Sequence, residues 1–361
     1  MLHPPQMSEP FEIAANLPEA TAPYKVLALY KFASLPDAEA LKPELAQFCC
    51  ARKIRGTFIL APEGINGTVA GRPEAIDALM TWFETSPLWA GRLTGAEAKF
   101  STATEMPFLR MKVRLKPEIV TLRAPEADPS KIVGTYVEPR DWNGLIERND
   151  VTVIDTRNDY EVKLGTFARA QDPHTQSFTE FKDYVAGLDP AKHPKVAMFC
   201  TGGIRCEKAS AYMLSQGFKE VFHLKGGILK YLEAVPEAES RFNGECFVFD
   251  ERVSVGRGLR EGEALLCRAC RNPMLPHEAV GSLCPSCAEA APEGAQERER
   301  QMELARVRGE AHLGDDAAEV AARNKAAKLM RKEASRSLQT SGAERASHPL
   351  PTSPVKGEVP H

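Results

Sequence analysis

The sequence predicts an α/β multi-domain protein: an α+β domain, then an α/β domain built on a parallel sheet, then a small metal-binding module. Three observations carry this. Residues 24–122 read as strand, helix, hairpin, helix and strands in βαββαβ order. Strands and helices then alternate to about Val235, and four later cysteines fall into two C-x2-C pairs. At 361 residues, two to three domains are expected, each large enough to bury a core.

Residues 1–22, rich in Pro, Ala and Glu without a period, read as a flexible lead-in to a first domain over 23–122. The expected elements are a strand from Lys25 to Phe32, a helix from Pro36 to Arg52 and a hairpin pairing Gly56–Ala61 with Asn66–Ala70. A helix from Pro73 to Glu84 and strands near Ala96–Phe100 and Phe108–Leu115 complete them. This order is ferredoxin-like, or acylphosphatase-like. The turn Ala61-Pro62-Glu63-Gly64-Ile65-Asn66-Gly67-Thr68 holds residues that suit positive φ, and it reads either as a plain turn or as a substrate-facing loop. Arg110, Lys112, Arg114 and Lys116 alternate with apolar residues, as on a strand with one solvated face, which is also a face that can meet a phosphate backbone.

A linker over 123–136 carries Pro125 and Pro129, and the second domain occupies 137–240. Its most informative segment is Cys200-Thr201-Gly202-Gly203-Ile204-Arg205-Cys206, which follows the apolar run Val196–Phe199 and precedes a helical pattern starting near Lys208. The first N–H groups of a helix have no internal partners and converge on an anion, and paired glycines let a loop curl around one. A thiolate is such an anion, and a nearby guanidinium lowers its pKa. Cys200 is therefore the candidate nucleophile, with Arg205 as its electrostatic partner and Thr201, Gly202, Gly203 and Ile204 supplying loop backbone. The competing reading is an inert buried cysteine. Cys206 reads either as a resolving thiol for an oxidised or persulfidated Cys200 or as helix packing.

The apolar stretch Cys246–Asp250 is expected to form one further strand within 241–291. Beyond it stand Cys267-x2-Cys270, thirteen intervening residues and Cys284-x2-Cys287, the spacing of a closed four-sulfur zinc site; His277 reads as a loop residue. The tail, 292–361, begins charged, with Arg323, Lys325, Lys328, Arg331, Lys332 and Arg336 on a stretch of helical propensity. That stretch is either a solvated face or an RNA contact, and the end is expected to be disordered.

A formal charge of −3 exerts no global pull on nucleic acid, so any RNA contact is local. No apolar run approaches the roughly 20 residues that cross a bilayer, no secretory leader is evident, and nine cysteines, an odd count, suit a reducing compartment. A cytoplasmic protein without membrane association is expected. No flavin or dinucleotide fingerprint, haem signal or iron-type histidine spacing is found.

The loop's C-x4-R spacing resembles the rhodanese active-site loop, which typically holds a persulfide on its cysteine. Val151–Arg157 resembles that family's strand into Asp-x-Arg, here Asp155 and Arg157, with Gly165 at its usual glycine; Val221–Gly227 resembles its final strand and double-glycine turn. Over roughly residues 24 to 290 the chain resembles the rhodanese-domain tRNA uridine(34) hydroxylases of bacteria. Cys-Thr-Gly-Gly-Ile-Arg-Cys-Glu-Lys-Ala, Ala-Pro-Glu-Gly-Ile-Asn-Gly-Thr, Lys225–Glu233 and Gly244–Asp250 carry that resemblance. It implies a tRNA substrate, molecular oxygen as co-substrate and conversion of the wobble uridine to 5-hydroxyuridine, the first step towards 5-oxyacetic acid derivatives. A sulfurtransferase acting through a Cys200 persulfide is the alternative.

Overall fold

A computed structural model describes residues 23–289. The lead-in, 1–22, and the tail beyond 289, with its basic stretch, lie outside the described residues.

The first domain contains β1 (Tyr24–Phe32), α1 (Ala38–Ala51), β2 (Arg55–Ala61), β3 (Gly64–Gly71), α2 (Pro73–Thr85), β4 (Glu97–Ala103) and β5 (Met111–Leu115). The sheet runs β4-β1-β3-β2-β5, antiparallel except where β5 lies parallel to β2. In α1 the buried residues are Ala38, Leu41, Leu45 and Cys49, the three-to-four spacing of a one-sided helix. In β2, Gly56, Phe58 and Leu60 alternate inward. These faces meet Leu27, Leu29, Leu79, Phe83 and Trp89 in one core. The expected turn at Ala61–Thr68 is tighter: only Pro62 and Glu63 lie between β2 and β3, and Asn66 is paired in β3, opposite Tyr30 and Ile59. Gly64 takes a positive φ of 147°, whereas Asn66 and Gly67 need none.

The second domain adds β6 (Thr135–Val137), α3 (Pro139–Ile146), β7 (Thr152–Asp155), α4 (Asp159–Val162), β8 (Gly165–Phe167), α5 (Phe181–Ala186), β9 (Lys195–Phe199), α6 (Ile204–Ser215), β10 (Glu220–Leu224) and α7 (Gly227–Ala234). A four-stranded parallel sheet, β6-β10-β9-β7, forms its centre. β9 is buried on both faces, as a central parallel strand must be. Val196 and Met198 pack with Ile154, Cys206 and Ala209, while Ala197 and Phe199 pack with Trp142, Phe167 and Tyr231 on the other side.

The stretch expected to be a linker is integral to the fold. Thr135 already belongs to β6, while Leu122, Ala124 and Ala127 are buried in the second domain's core. Likewise α6 begins at Ile204, four residues before the expected start, because Gly203 at φ 102° closes the loop and caps the helix. The strand expected through Asp250 is a short hairpin instead, β11 (Phe242–Gly244) being followed by β12 (Cys246–Phe247) and β13 (Ser254–Val255). Asp250 holds Arg252 through both carboxylate oxygens at the turn, at 2.9 and 2.6 Å, which ends the strand early. The last module contains β14 (Leu265–Leu266), β15 (Pro273–Met274) and α8 (Pro285–Glu289).

The first domain lies against the second. Lys208 of α6, nearly fully buried, is held by Glu63 at 2.9 Å and Glu118 at 2.6 Å, and Asn66 Nδ2 donates to the carbonyl of Ile119 at 3.0 Å. Arg252 of the hairpin turn donates to Ser101 Oγ on β4 at 2.8 Å.

Candidate active site

The carboxyl ends of three adjacent parallel strands converge on one loop, the place where open α/β sheets bind ligands. β9 ends in Cys200, β7 in Asp155-Thr156-Arg157, and β10 in the turn Lys225-Gly226-Gly227. The turn docks onto the loop, the N–H groups of Ile228 and Leu229 donating to the carbonyls of Cys200 at 2.9 Å and Thr201 at 3.1 Å. Glycine is required at 227, where φ is 68° and a Cβ would lie 2.5 Å from the Cys200 carbonyl oxygen.

Cys200 is fully buried, and the N–H of Gly203 donates to its sulfur at 3.1 Å. Burial opposes charge on this thiol. The Cys206 thiol, the positive charge of Arg205 and the N–H groups of Cys206 and Gly203 outweigh that burial and bring Cys200 down to about 5. Cys206 moves the opposite way, pushed up by burial and by its bond to Cys200, while Thr156 Oγ1 lies 3.4 Å from its sulfur. Cys200 thus holds the charge and Cys206 the proton.

Arg205 is committed elsewhere than its spacing from Cys200 suggests. Its guanidinium forks onto Glu161, Nη1 to Oε2 at 2.6 Å and Nη2 to Oε1 at 2.7 Å, and Nη2 also donates to Thr201 Oγ1 at 3.3 Å. Thr201 Oγ1 in turn donates to Glu161 Oε1 at 3.2 Å. The charge of Arg205 therefore acts on Cys200 through space while its hydrogen bonds shape the loop. Glu161 is fully buried at the N3 position of a capping box led by Asn158.

Asp155 and Arg157 form a second buried pair, Nη2 to Oδ2 at 2.7 Å and Nε to Oδ1 at 2.9 Å, both side chains wholly buried. Arg157 Nη2 also donates to the carbonyl of Gly165 at 2.5 Å, and Thr166 Oγ1 donates to Asp155 at 2.8 Å. Their contacts fasten β8 to the end of β7. Gly202 leaves open space at its Cβ position.

Sequence reasoning missed the contribution of the first domain. Tyr30 of β1 donates from its hydroxyl to Glu207 Oε1 at 2.8 Å, and the same hydroxyl lies 2.9 Å from where a Cβ on Gly203 would sit. Lys99 of β4 lies beside Tyr30, its ammonium 5.2 Å from the ring centre. Burial pushes the Glu207 carboxyl up despite hydrogen bonds from Tyr30 and Tyr136. A separation of 177 residues between Tyr30 and Glu207 left no local signal to find.

The basic run is not brought to this loop. Arg110, Arg114 and Lys116 are exposed and Lys112 is half-buried along β5, at the sheet edge opposite β4. That places the run three strands from β1, about 14 Å at the usual strand spacing.

In the last module the sulfurs of Cys267, Cys270, Cys284 and Cys287 lie within 4.8 Å of one another, Cys270 and Cys284 at 3.8 Å. Tetrahedral Zn–S bonds of 2.3 Å require sulfurs about 3.8 Å apart, so the set can hold a metal. His277 lies outside that set, in the turn Pro276–Glu278.

Two family models match the chain, a UPF0176 acylphosphatase like domain over residues 24–119 and a rhodanese-like domain over 138–234. A tRNA uridine(34) hydroxylase of Teredinibacter turnerae is 55% identical over 305 residues, covering 81% of this chain and 94% of that one. One from Mesorhizobium japonicum is 56% identical over 304 residues, covering 81% and 97%. This chain belongs to the tRNA uridine(34) hydroxylase family. A third member, from Agrobacterium fabrum, is 52% identical over 309 residues and covers 82% and 97%. Among solved structures, a rhodanese-related protein of Thermoplasma volcanium is 25% identical, with a TM-score of 0.24, covering 28% of this chain and 95% of that one. The two domain matches agree with the α+β and parallel α/β domains expected from the sequence. No described helix is long and apolar enough to cross a membrane.

The folded Cys200 thiol is charged above about 5, whereas the unfolded one is charged only above about 8.5. Between these values the unfolded chain binds the extra proton, so stability rises with pH. Denaturant titrations across this window are expected to show that slope in the wild type and a shallower one in Cys200→Ser. Equal slopes contradict the assignment of charge to Cys200.

Proposed function

We propose that this protein hydroxylates C5 of the wobble uridine, position 34, of tRNA, with Cys200 as the nucleophile and molecular oxygen as co-substrate. The observation that carries the reading is a buried loop thiol held as a thiolate, in a chain more than half identical to proteins named tRNA uridine(34) hydroxylase. Those names favour hydroxylation over sulfur transfer.

The Cys200 thiolate adds to C6 of the uracil and concentrates electron density at C5, the position to be oxidised. The N–H groups at the start of α6 and the Arg205 charge stabilise the anionic species. Asp155 and Arg157 keep the β7 end in place, and Cys206 donates to the thiolate. Arg110, Lys112, Arg114 and Lys116 meet the phosphate backbone of the tRNA beyond the reacting base. Cys267, Cys270, Cys284 and Cys287 would hold a zinc ion, which supplies folding energy to its module and no chemistry. A tRNA substrate fits a cytoplasmic location for this enzyme.

The test is nucleoside mass spectrometry of tRNA from cells lacking the gene and any parallel route to the modification, complemented with wild type or Cys200→Ser. 5-Hydroxyuridine derivatives are expected to return with wild type and to remain absent with the variant. Return with both removes Cys200 from the reaction, and return with neither removes the hydroxylase reading.

A further inference from the structure

Lys99 is unusual in its surroundings. It lies on β4 of the first domain with its side chain only 6% exposed, and its one ion-pair neighbour among the described residues, Glu97 Oε2, is 3.8 Å away, beyond hydrogen-bond reach. A buried ammonium ordinarily carries hydrogen bonds, because its three donors lose water on burial. Lys99 sits next to the Tyr30 ring, whose hydroxyl packs on Gly203, the residue that donates to the Cys200 sulfur. Among the described residues, the charged or titratable groups that face it include Glu97 on β4, Tyr30 on β1, Cys200 in the loop, Glu207 on α6 and Lys230 on α7. Among the described residues, a buried cation with no hydrogen-bond partner thus stands beside Tyr30, the side chain through which the first domain meets the reactive loop.

We propose that Lys99 is a catalytic residue of the uridine reaction, its ammonium donating to the O4 carbonyl of the extruded uracil. This rests on the thiolate-addition reading. When Cys200 adds to C6, an S–C6 bond forms, the C5=C6 π pair moves to C4–C5, and the C4 carbonyl pair moves onto O4 as an oxyanion. Lys99 supplies the positive charge and the hydrogen bond at that oxygen. Protonation at C5 by solvent, loss of the original C5 hydrogen and expulsion of the thiolate return uracil with a solvent hydrogen at C5. The net change is hydrogen exchange, and it consumes no oxidant or reductant. Burial lowers the pKa of Lys99 from its ordinary value, so the donor loses its proton earlier in an alkaline titration than a surface lysine does.

The experiment measures exchange of the C5 hydrogen of uridine 34 in substrate tRNA, incubated with full-length protein in deuterated buffer without oxygen. Wild type is expected to exchange and Cys200→Ser not to. Lys99→Met is expected to slow exchange by about 10²-fold or more, the usual loss for one oxyanion donor, with tRNA affinity and melting temperature little changed. Lys99→Arg keeps the charge and is expected to retain most of the rate. It is also expected to lose the alkaline fall in rate that the wild type shows as Lys99 deprotonates, a change a packing role would not produce. If Lys99→Met does not fold, that alkaline limb decides. A wild type that does not exchange overturns the addition reading and this proposal with it. A wild type that exchanges while Lys99→Met matches it, or while Lys99→Arg keeps the same alkaline limb, overturns the role of Lys99 alone.

Discussion

Glu161→Ala is expected to lower the melting temperature by on the order of 10 °C and to abolish wobble-uridine hydroxylation. Glu161 is fully buried and takes both arms of Arg205, itself nearly buried, together with the Thr201 hydroxyl. Removing one partner of such a pair strands the other charge in a dry site, at a cost of about 3–5 kcal/mol. Arg205 must then turn towards water, and the loop loses both the fork that shapes it and the charge that helps keep Cys200 ionised. Burial opposes ionisation of Glu161, but Arg205 holds its carboxyl below the ordinary glutamate value. The stabilisation is therefore complete above about pH 4.3 and is lost as pH falls below it, so wild type and variant should converge in acid. Melting curves at neutral and acidic pH check this; a variant that melts with the wild type at neutral pH contradicts the claim that the fork organises the loop. Glu161→Gln retains one acceptor and should fall between the two.

Gly227→Ala is expected to reduce hydroxylation by about 10²-fold or more, although it adds one methyl group and touches no charge. The new Cβ would meet three backbone atoms of the loop: the carbonyl oxygens of Cys200 at 2.5 Å and Thr201 at 2.6 Å, and the nitrogen of Gly203 at 2.8 Å. Backbone cannot swing aside as a flexible side chain does, so the loop and α7 must separate. Left-handed backbone at this position adds about 1 kcal/mol for any residue with a Cβ. Separation breaks the two hydrogen bonds from Ile228 and Leu229 and displaces the N–H of Gly203 that meets Cys200. An ångström of misplacement at a reacting atom costs about that factor of 10². Gly202→Ala is the internal control, since nothing lies within 4 Å of its Cβ position, and its activity should stay near wild type. Equal losses in the two variants would show that the effect is general to the loop rather than to the docking of α7.

What was legible in the sequence was local chemistry. A strand ending in Cys200, paired glycines, an arginine and two C-x2-C pairs each advertise their role within a few residues, and the alternation of strands and helices exposed both large domains. The expected start of α6 falls late because glycines are ordinary helix breakers, whereas Gly203 at positive φ is the residue that starts this helix. The spacing of Arg205 from Cys200 points to a direct partner, yet its hydrogen bonds run to Glu161, which lies 44 positions earlier. Tyr30, Lys99, Glu63 and Glu118 were illegible for a stronger reason. Tyr30, Glu63 and Glu118 reach α6 from the first domain or the segment after it, Lys99 stands beside Tyr30, and no periodicity in β1 or β4 marks which residue faces another domain.

The start of α6 has three separate clients. Arg205 faces Glu161 within its own domain, Glu207 faces Tyr30 across the boundary, and Lys208 reaches Glu63 and Glu118 on a third side. A helix turns by about 100° per residue, so these partners must stand around it at fixed bearings. Inserting or deleting one residue in the loop would rotate all three side chains away from their partners at once. Change here is thereby confined to single side-chain replacements matched by their partners, and the length of the Cys200 loop cannot drift even though the loop itself is rich in glycine.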